Sequence, residues 1–161
     1  MTTLSENAVT IFAEAARGFC SWCERSEPDA EPEISASVWL SNLHATALRL
    51  PQVESENSDG LPDVPEGALA QAKRNLAYFY GFYYREYFDP DPRLDEEPVI
   101  GDVGDDLLDI YKDIRAGLVL FESGQTTEAL WHWSFLHQVH WGRHAVGASF
   151  ALHCMHVSKQ R

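Results

Sequence analysis

Apolar residues recur along this chain at intervals of three and four, in five separate stretches, and that period limits its fold more than any other feature. A helix brings positions i, i+3, i+4 and i+7 onto one face, whereas a half-buried strand alternates. No stretch alternates convincingly. The spacing predicts a first helix from about Ser5 to Glu24, with Leu4 before a Ser5 cap and Val9, Phe12, Ala16, Phe19 and Cys23 inward. A second is expected from about Ser37 to Leu50, burying Trp39, Leu40, Leu43 and Ala47 and stopped by Pro51. After the polar loop 51–64, Pro65 opens a third helix that runs to about Phe88. Its stripe is Leu69, Leu76, Tyr80, Tyr83 and Tyr87, with Tyr78 and Phe82 toward the far side. The acidic, proline-broken segment 89–101 leads to a fourth, from Asp102 or Val103 to Ser123, ended by Gly124. Thr126 or Thr127 caps a fifth that reaches about Val157, with Gly142 as its point of bending. The expectation is therefore an all-α, single-domain bundle over 1–161, of about five mostly antiparallel helices with a long C-terminal one.

Charge and cysteine content narrow the function. The 161 residues carry 12 basic and 25 acidic side chains, a net charge of −13. Such a field repels phosphate backbones and anionic lipid, so neither nucleic acid nor a membrane surface is an expected partner. A basic protein partner suits it, and a homo-oligomer stays open. Ten of the acids and two basic residues lie between Asp89 and Asp113. The start, MTTLSENAVTIF, lacks a signal peptide's basic and apolar regions, and three cysteines make no disulfide scaffold. A cytoplasmic setting is expected.

The fourth and fifth helices carry the candidate chemistry. Val103, Leu107, Ile110, Ile114, Leu118 and Phe121 form one apolar face of the fourth. Asp102, Asp105, Asp106, Asp109 and Asp113 cluster on the other side. Leu108, Val119 and Leu120 lie outside the apolar face, which predicts neighbours on several sides. On the fifth helix, His137, His140 and His144 continue a stripe of Trp133, Ala148, Ala151 and Met155, so the imidazoles read as interior. The turn at Gly124 is short enough for an antiparallel hairpin, and Asp106 and Gly142 each lie 18 residues from it. Asp105–Asp109 and His137–His144 are therefore level along the hairpin; the count does not say whether their faces meet.

Three readings fit the pair of segments. In the first, buried histidines hydrogen-bond to aspartates or tyrosines purely for packing, the commonest fate of such residues. Imidazole and carboxylate together also suit zinc, iron or manganese, with Asp106, Asp109, His140 and His144 as the ligands and Tyr83, Tyr87 and Trp141 in support. The third is a metal-free acid–base pair. The main functional expectation is an interaction or accessory module without catalysis and without a cofactor. Its alternative is a small hydrolytic enzyme that uses a divalent metal, centred on Asp105, Asp106, Asp109, His137, His140 and His144.

Other motifs carry less. Cys20 and Cys23 form a CxxC near the C-terminal end of the first helix, where the dipole opposes a thiolate, so they read as core. A zinc site using them with Cys154 requires the first helix to lie beside the end of the last. Counted from Asp89, an EF-hand would need glycine at Leu94 and glutamate at Ile100. DDLLD alone does not make an isoprenoid synthase in a chain this short.

The segments YFDPD at Tyr87, GDVGDDLLDIYKDIRAGL from Gly101 and ALWHWSFLHQVHWGRHAVGA from Ala129 resemble a bacterial family, the domain of unknown function numbered 5063. The likeness covers roughly Tyr80 to His153. It implies a small helical protein and brings no activity or ligand with it.

Overall fold

Helix α4 (Val103–Glu122) is the axis on which most of the other elements pack. Its apolar face explains part of this: Val103, Leu107, Ile110, Ile114 and Leu118 are buried, but so are Leu108, Tyr111, Ala116 and Leu120 on other sides. In the computed structural model, which describes residues 3–160, α4 touches α1 (Thr3–Cys23), α3 (Glu66–Leu76), α5 (Thr126–Val139) and α6 (Trp141–Lys159). Helix α2 (Pro32–Ala47) packs between α1 and α6. The side chains of Leu4 and Ser5 lie outside the described ones. The helix has already begun at Thr3, so Ser5 stands within it rather than before it.

Gly124 ends α4 as its sequence implies. It adopts φ 85°, a left-handed conformation that costs glycine little, and Gln125 N–H donates to the Leu120 carbonyl. The chain then reverses into α5, which packs on α4 as the other arm of the hairpin. Trp133 fills the joint. Its indole N–H donates to the Ile114 carbonyl at 3.2 Å, and its ring lies where a Cβ on Gly117 would stand. Phe12 meets that ring edge-on at 4.9 Å, which ties α1 to the hairpin.

Three expectations need correction. The third helix does not reach Phe88. It stops at Leu76, a short 3-10 turn covers Ala77–Phe79, and Gly81 turns the chain at φ 86° into strand β1 (Tyr83–Glu86). Strand β2 (Val99–Asp102) pairs with it antiparallel, Tyr83 opposite Asp102 and Glu86 opposite Val99, so the bundle carries a small two-stranded sheet. Tyr80, Tyr83 and Tyr87 are consequently exposed instead of forming a core stripe. The reason is competition between periods: aromatic residues crowd FYGFYYREYF, so they fit either one, and pairing with β2 decides.

The second correction concerns the last helix, which is two. The break falls at His140, whose φ of −143° and ψ of −88° lie outside helical values. The α-helices among the described residues therefore number six. The third is minor: α2 begins at Pro32, earlier than Ser37, and Trp39 is half-buried against Gly18 of α1. None of the described helices is long and apolar enough to cross a membrane.

Candidate metal centre beside the strand pair

The break at His140 turns the imidazoles toward α4. Trp141, buried at the start of α6, donates its indole N–H to the Trp133 carbonyl at 3.1 Å and fixes where the new helix begins. Gly142 lets that turn sit directly on α5, since a Cβ there would lie 2.1 Å from the His137 carbonyl oxygen. His144 Nδ1 then lies 2.7 Å from Asp106 Oδ1, and His140 Nδ1 lies 2.6 Å from Asp113 Oδ2. The two rings meet edge to face, centroids 4.9 Å apart. Counted about Gly124, His144 lies two residues from the level of Asp106, within one turn, and His140 lies five residues from that of Asp113, about one and a half turns.

Asp106, Asp109 and Asp113 follow one another at spacings of three and then four, so they share a stripe of α4 that faces α6. Asp106 is buried; its second oxygen accepts the Tyr84 hydroxyl at 2.7 Å. Burial and that carboxylate both raise the Tyr84 phenol, so it stays a protonated donor. Asp113 is mostly covered, and burial raises its carboxyl against the opposing pull of His140. Asp109 is half-buried and holds Lys112 at 2.9 Å. Asp105 points outward; burial and the neighbouring aspartates raise its carboxyl. Asp102 caps α4, accepting Gly104 N–H at 2.8 Å and Gly81 N–H at 2.8 Å, and so anchors the turn into β1.

These contacts fix the tautomers. An ionised carboxylate can only accept, so opposite one each Nδ1 carries the proton, and the imidazole, when neutral, presents an unprotonated Nε2. One ligand atom from each of Asp109, His140 and His144 lies within 4.8 Å of the other two, the one such grouping of three among the described residues. A cleft of about 450 Å³ opens beside them, walled by Glu86, Val99, Ile100 and Arg143. Cys20 and Cys23 are buried, with thiols raised by desolvation, while Cys154 is exposed on α6.

Several expected members lie elsewhere. His137 leaves the cluster: its Nε2 meets His44 Nδ1 at 3.0 Å, and its ring rests on Trp141 with centroids 4.6 Å apart. Tyr83 faces outward, and Tyr87 offers only its carbonyl, which accepts Arg143 at 2.7 Å. Tyr84 occupies the supporting place instead. Its signal was the alternation Phe82, Tyr84, Glu86 inward against Tyr83, Arg85, Tyr87 outward. Asp113 was legible as the next position on the Asp106–Asp109 stripe. His44, on α2 beside Leu40 and Leu43, had no signal beyond its place next to a buried stripe.

The histidines have opposed pH signatures. Burial holds His132 and His137 below the ordinary 6.5, whereas the Asp106 carboxylate holds His144 above it. Stability from His132 and His137 is present above pH 6.5 and falls as the pH drops below it, because the unfolded chain binds the proton more readily. The His144 contribution is full below 6.5 and is lost as the pH rises through its raised folded value. In metal-free protein, His144→Gln should therefore steepen the loss of stability on acidification from about pH 7.5 to 5.5. Urea midpoints across that range measure it; a flatter profile in the variant contradicts the assignment.

The fold and site define a class: a small, mostly helical bundle in which two carboxylate-held imidazoles flank a third, freer carboxylate. The chain belongs to the DUF5063 family, a domain of unknown function, whose sequence model matches residues 3–158. It is similar in fold to protein BF1032 from Bacteroides fragilis, known from a crystal structure, at 22% identity over 94% of each chain and a TM-score of 0.73. No curated protein matches it.

Proposed function

We propose that this chain binds one divalent transition-metal ion through Asp109, His140 and His144. The observation that carries the reading is the fixing of both imidazoles by carboxylates at Nδ1, at 2.6 Å and 2.7 Å. Metal-binding histidines almost always have such a partner, which sets the tautomer and makes the ligand nitrogen more basic. A set of two nitrogens and one oxygen suits zinc, iron or manganese. Ligand atoms around zinc stand about 3.4 Å apart, so a grouping within 4.8 Å has to contract by at most about 1.4 Å. Asp109 takes part by leaving Lys112, its one ion-pair partner among the described residues. Three protein ligands leave a position for water, the arrangement that serves metal-assisted hydrolysis.

Protein stripped with chelator and freed of any affinity tag should take up one equivalent of zinc or cobalt. His140→Ala, His144→Ala and Asp109→Asn should each weaken uptake at least tenfold, and His137→Ala should not. Equal binding by all five proteins defeats the assignment. Docking of a basic partner on the connection between the strands is the second reading, supported by the exposed Asp89, Asp95, Glu96 and Glu97. A partner recovered from the native host that still binds when those four are neutralised contradicts it.

A further inference from the structure

Among the described residues strand β1 pairs with β2 alone, and beyond its other edge β1 and α6 line a groove. Two cavities lie along that groove, about 600 Å³ and about 430 Å³, on either side of Phe150. Both are walled by β1 and α6, and neither includes a residue of β2. The ladder alternates, and it starts from the Val103 N–H donating to the Phe82 carbonyl. Tyr84 and Glu86 therefore turn their main-chain groups toward β2, and Tyr83 and Arg85 turn theirs toward the open edge. One carbonyl further on, at Tyr87, already accepts a hydrogen bond across the groove from Arg143 of α6. The groove floor is apolar and open: Val146 is 52% exposed and Phe150 64%.

Its charge is opposite to that of the whole chain. Arg85, Arg143 and Lys159 line the two cavities against one acid, Glu86, while the chain carries 25 acidic and 12 basic residues. Arg143 leans on Glu86 and Lys159 on Glu33, whereas Arg85 is exposed and makes no ion pair among the described residues. From Gly142 to Lys159, α6 offers about 25 Å of wall, the length of about seven extended residues.

We propose that this groove binds an extended acidic peptide, which adds as a strand to the free edge of β1. Its main chain pairs with Tyr83 and Arg85, apolar side chains on one face enter the cavities beside Phe150, and carboxylates on the other meet Arg85. The proposal is independent of any metal at Asp109, His140 and His144.

The probes are seven-residue fluorescent peptides in which glutamate alternates with valine, leucine or phenylalanine, read by anisotropy. Saturable binding is expected at micromolar concentration, weakened at least tenfold by Phe150→Asp and by Arg85→Glu. Both positions are exposed, and unchanged melting of the variants confirms that they fold. Methylating alternate peptide nitrogens should abolish binding in one phase and spare it in the other, since only one set faces β1. Three results overturn the proposal: no saturation by any peptide up to about a millimolar, equal effects of the two methylation phases, or a dimer of the chain that Phe150→Asp dissolves.

Discussion

Asp106→Ala should destabilise the protein by about 2–3 kcal/mol and lower its melting temperature by about 5–10 °C. The carboxylate is buried and accepts two donors, the Tyr84 hydroxyl and His144 Nδ1, each at 2.7 Å. Removing it leaves both without a partner. Losing one member of a fully buried pair costs about 3–5 kcal/mol, but the His144 side chain is 26% exposed and recovers part of its solvation, which sets the lower figure. Asp106→Asn should cost less, because the amide oxygen still accepts one donor and the Tyr84 hydroxyl can turn to accept from the amide nitrogen. Tyr84→Phe alone should cost about 1 kcal/mol, the net worth of one hydrogen bond. Combined with Asp106→Ala, it should add little further loss, since the shared contact is already gone. Full additivity of the two would show that Tyr84 and Asp106 act separately. The same replacement should weaken metal uptake by about tenfold to a hundredfold, because His144 loses the group that orients it.

The helical part of this architecture was legible because each helix repeats its period over several turns. Helix α4 is the clearest case: Val103 through Phe121 marks one face, Gly124 marks the stop, and Leu108 and Leu120 betray neighbours on other sides. The level of the imidazoles against the aspartates followed from counting along the hairpin. What counting did not supply was the break at His140. Gly142 marks a bend in the sequence two residues beyond where the helix breaks; the break itself coincides with the buried Trp141–Trp133 hydrogen bond, a contact that exists only after packing. The strand pair was hidden for a related reason. Four residues of β1 meet four of β2 across an acidic connection, and neither stretch is long enough for alternation to stand out among so many aromatics. The misplacement of Tyr83 and Tyr87 followed from that one error in period, which also concealed Tyr84.

Gly142→Ala tests the break at His140 directly, and its effect should be among the largest of any single methyl group in the chain. A Cβ at this buried position would lie 2.1 Å from the His137 carbonyl oxygen, 2.8 Å from His137 Cδ2 and 3.1 Å from the His137 carbonyl carbon. Two of those atoms are backbone, so no rotamer change relieves the clash, and the first turn of α6 has to back away from α5. Overpacking of this kind costs roughly 1–3 kcal/mol, and the backbone partner argues for the upper end. Propensity works the other way, since alanine favours a helix over glycine by about 1 kcal/mol, and Gly67→Ala isolates that term. Gly67 lies in α3 with nothing within 4 Å of a Cβ, so its replacement should stabilise the protein slightly. The displacement at Gly142 also moves His140 off Asp113 and His137 off His44, so the ring resonances of both should shift, while those of Gly67→Ala stay in place. If Gly142→Ala instead matched Gly67→Ala in stability and in its histidine spectrum, α5 and α6 would have to be one continuous helix in solution, and the geometry that joins the two imidazole–carboxylate pairs would not hold.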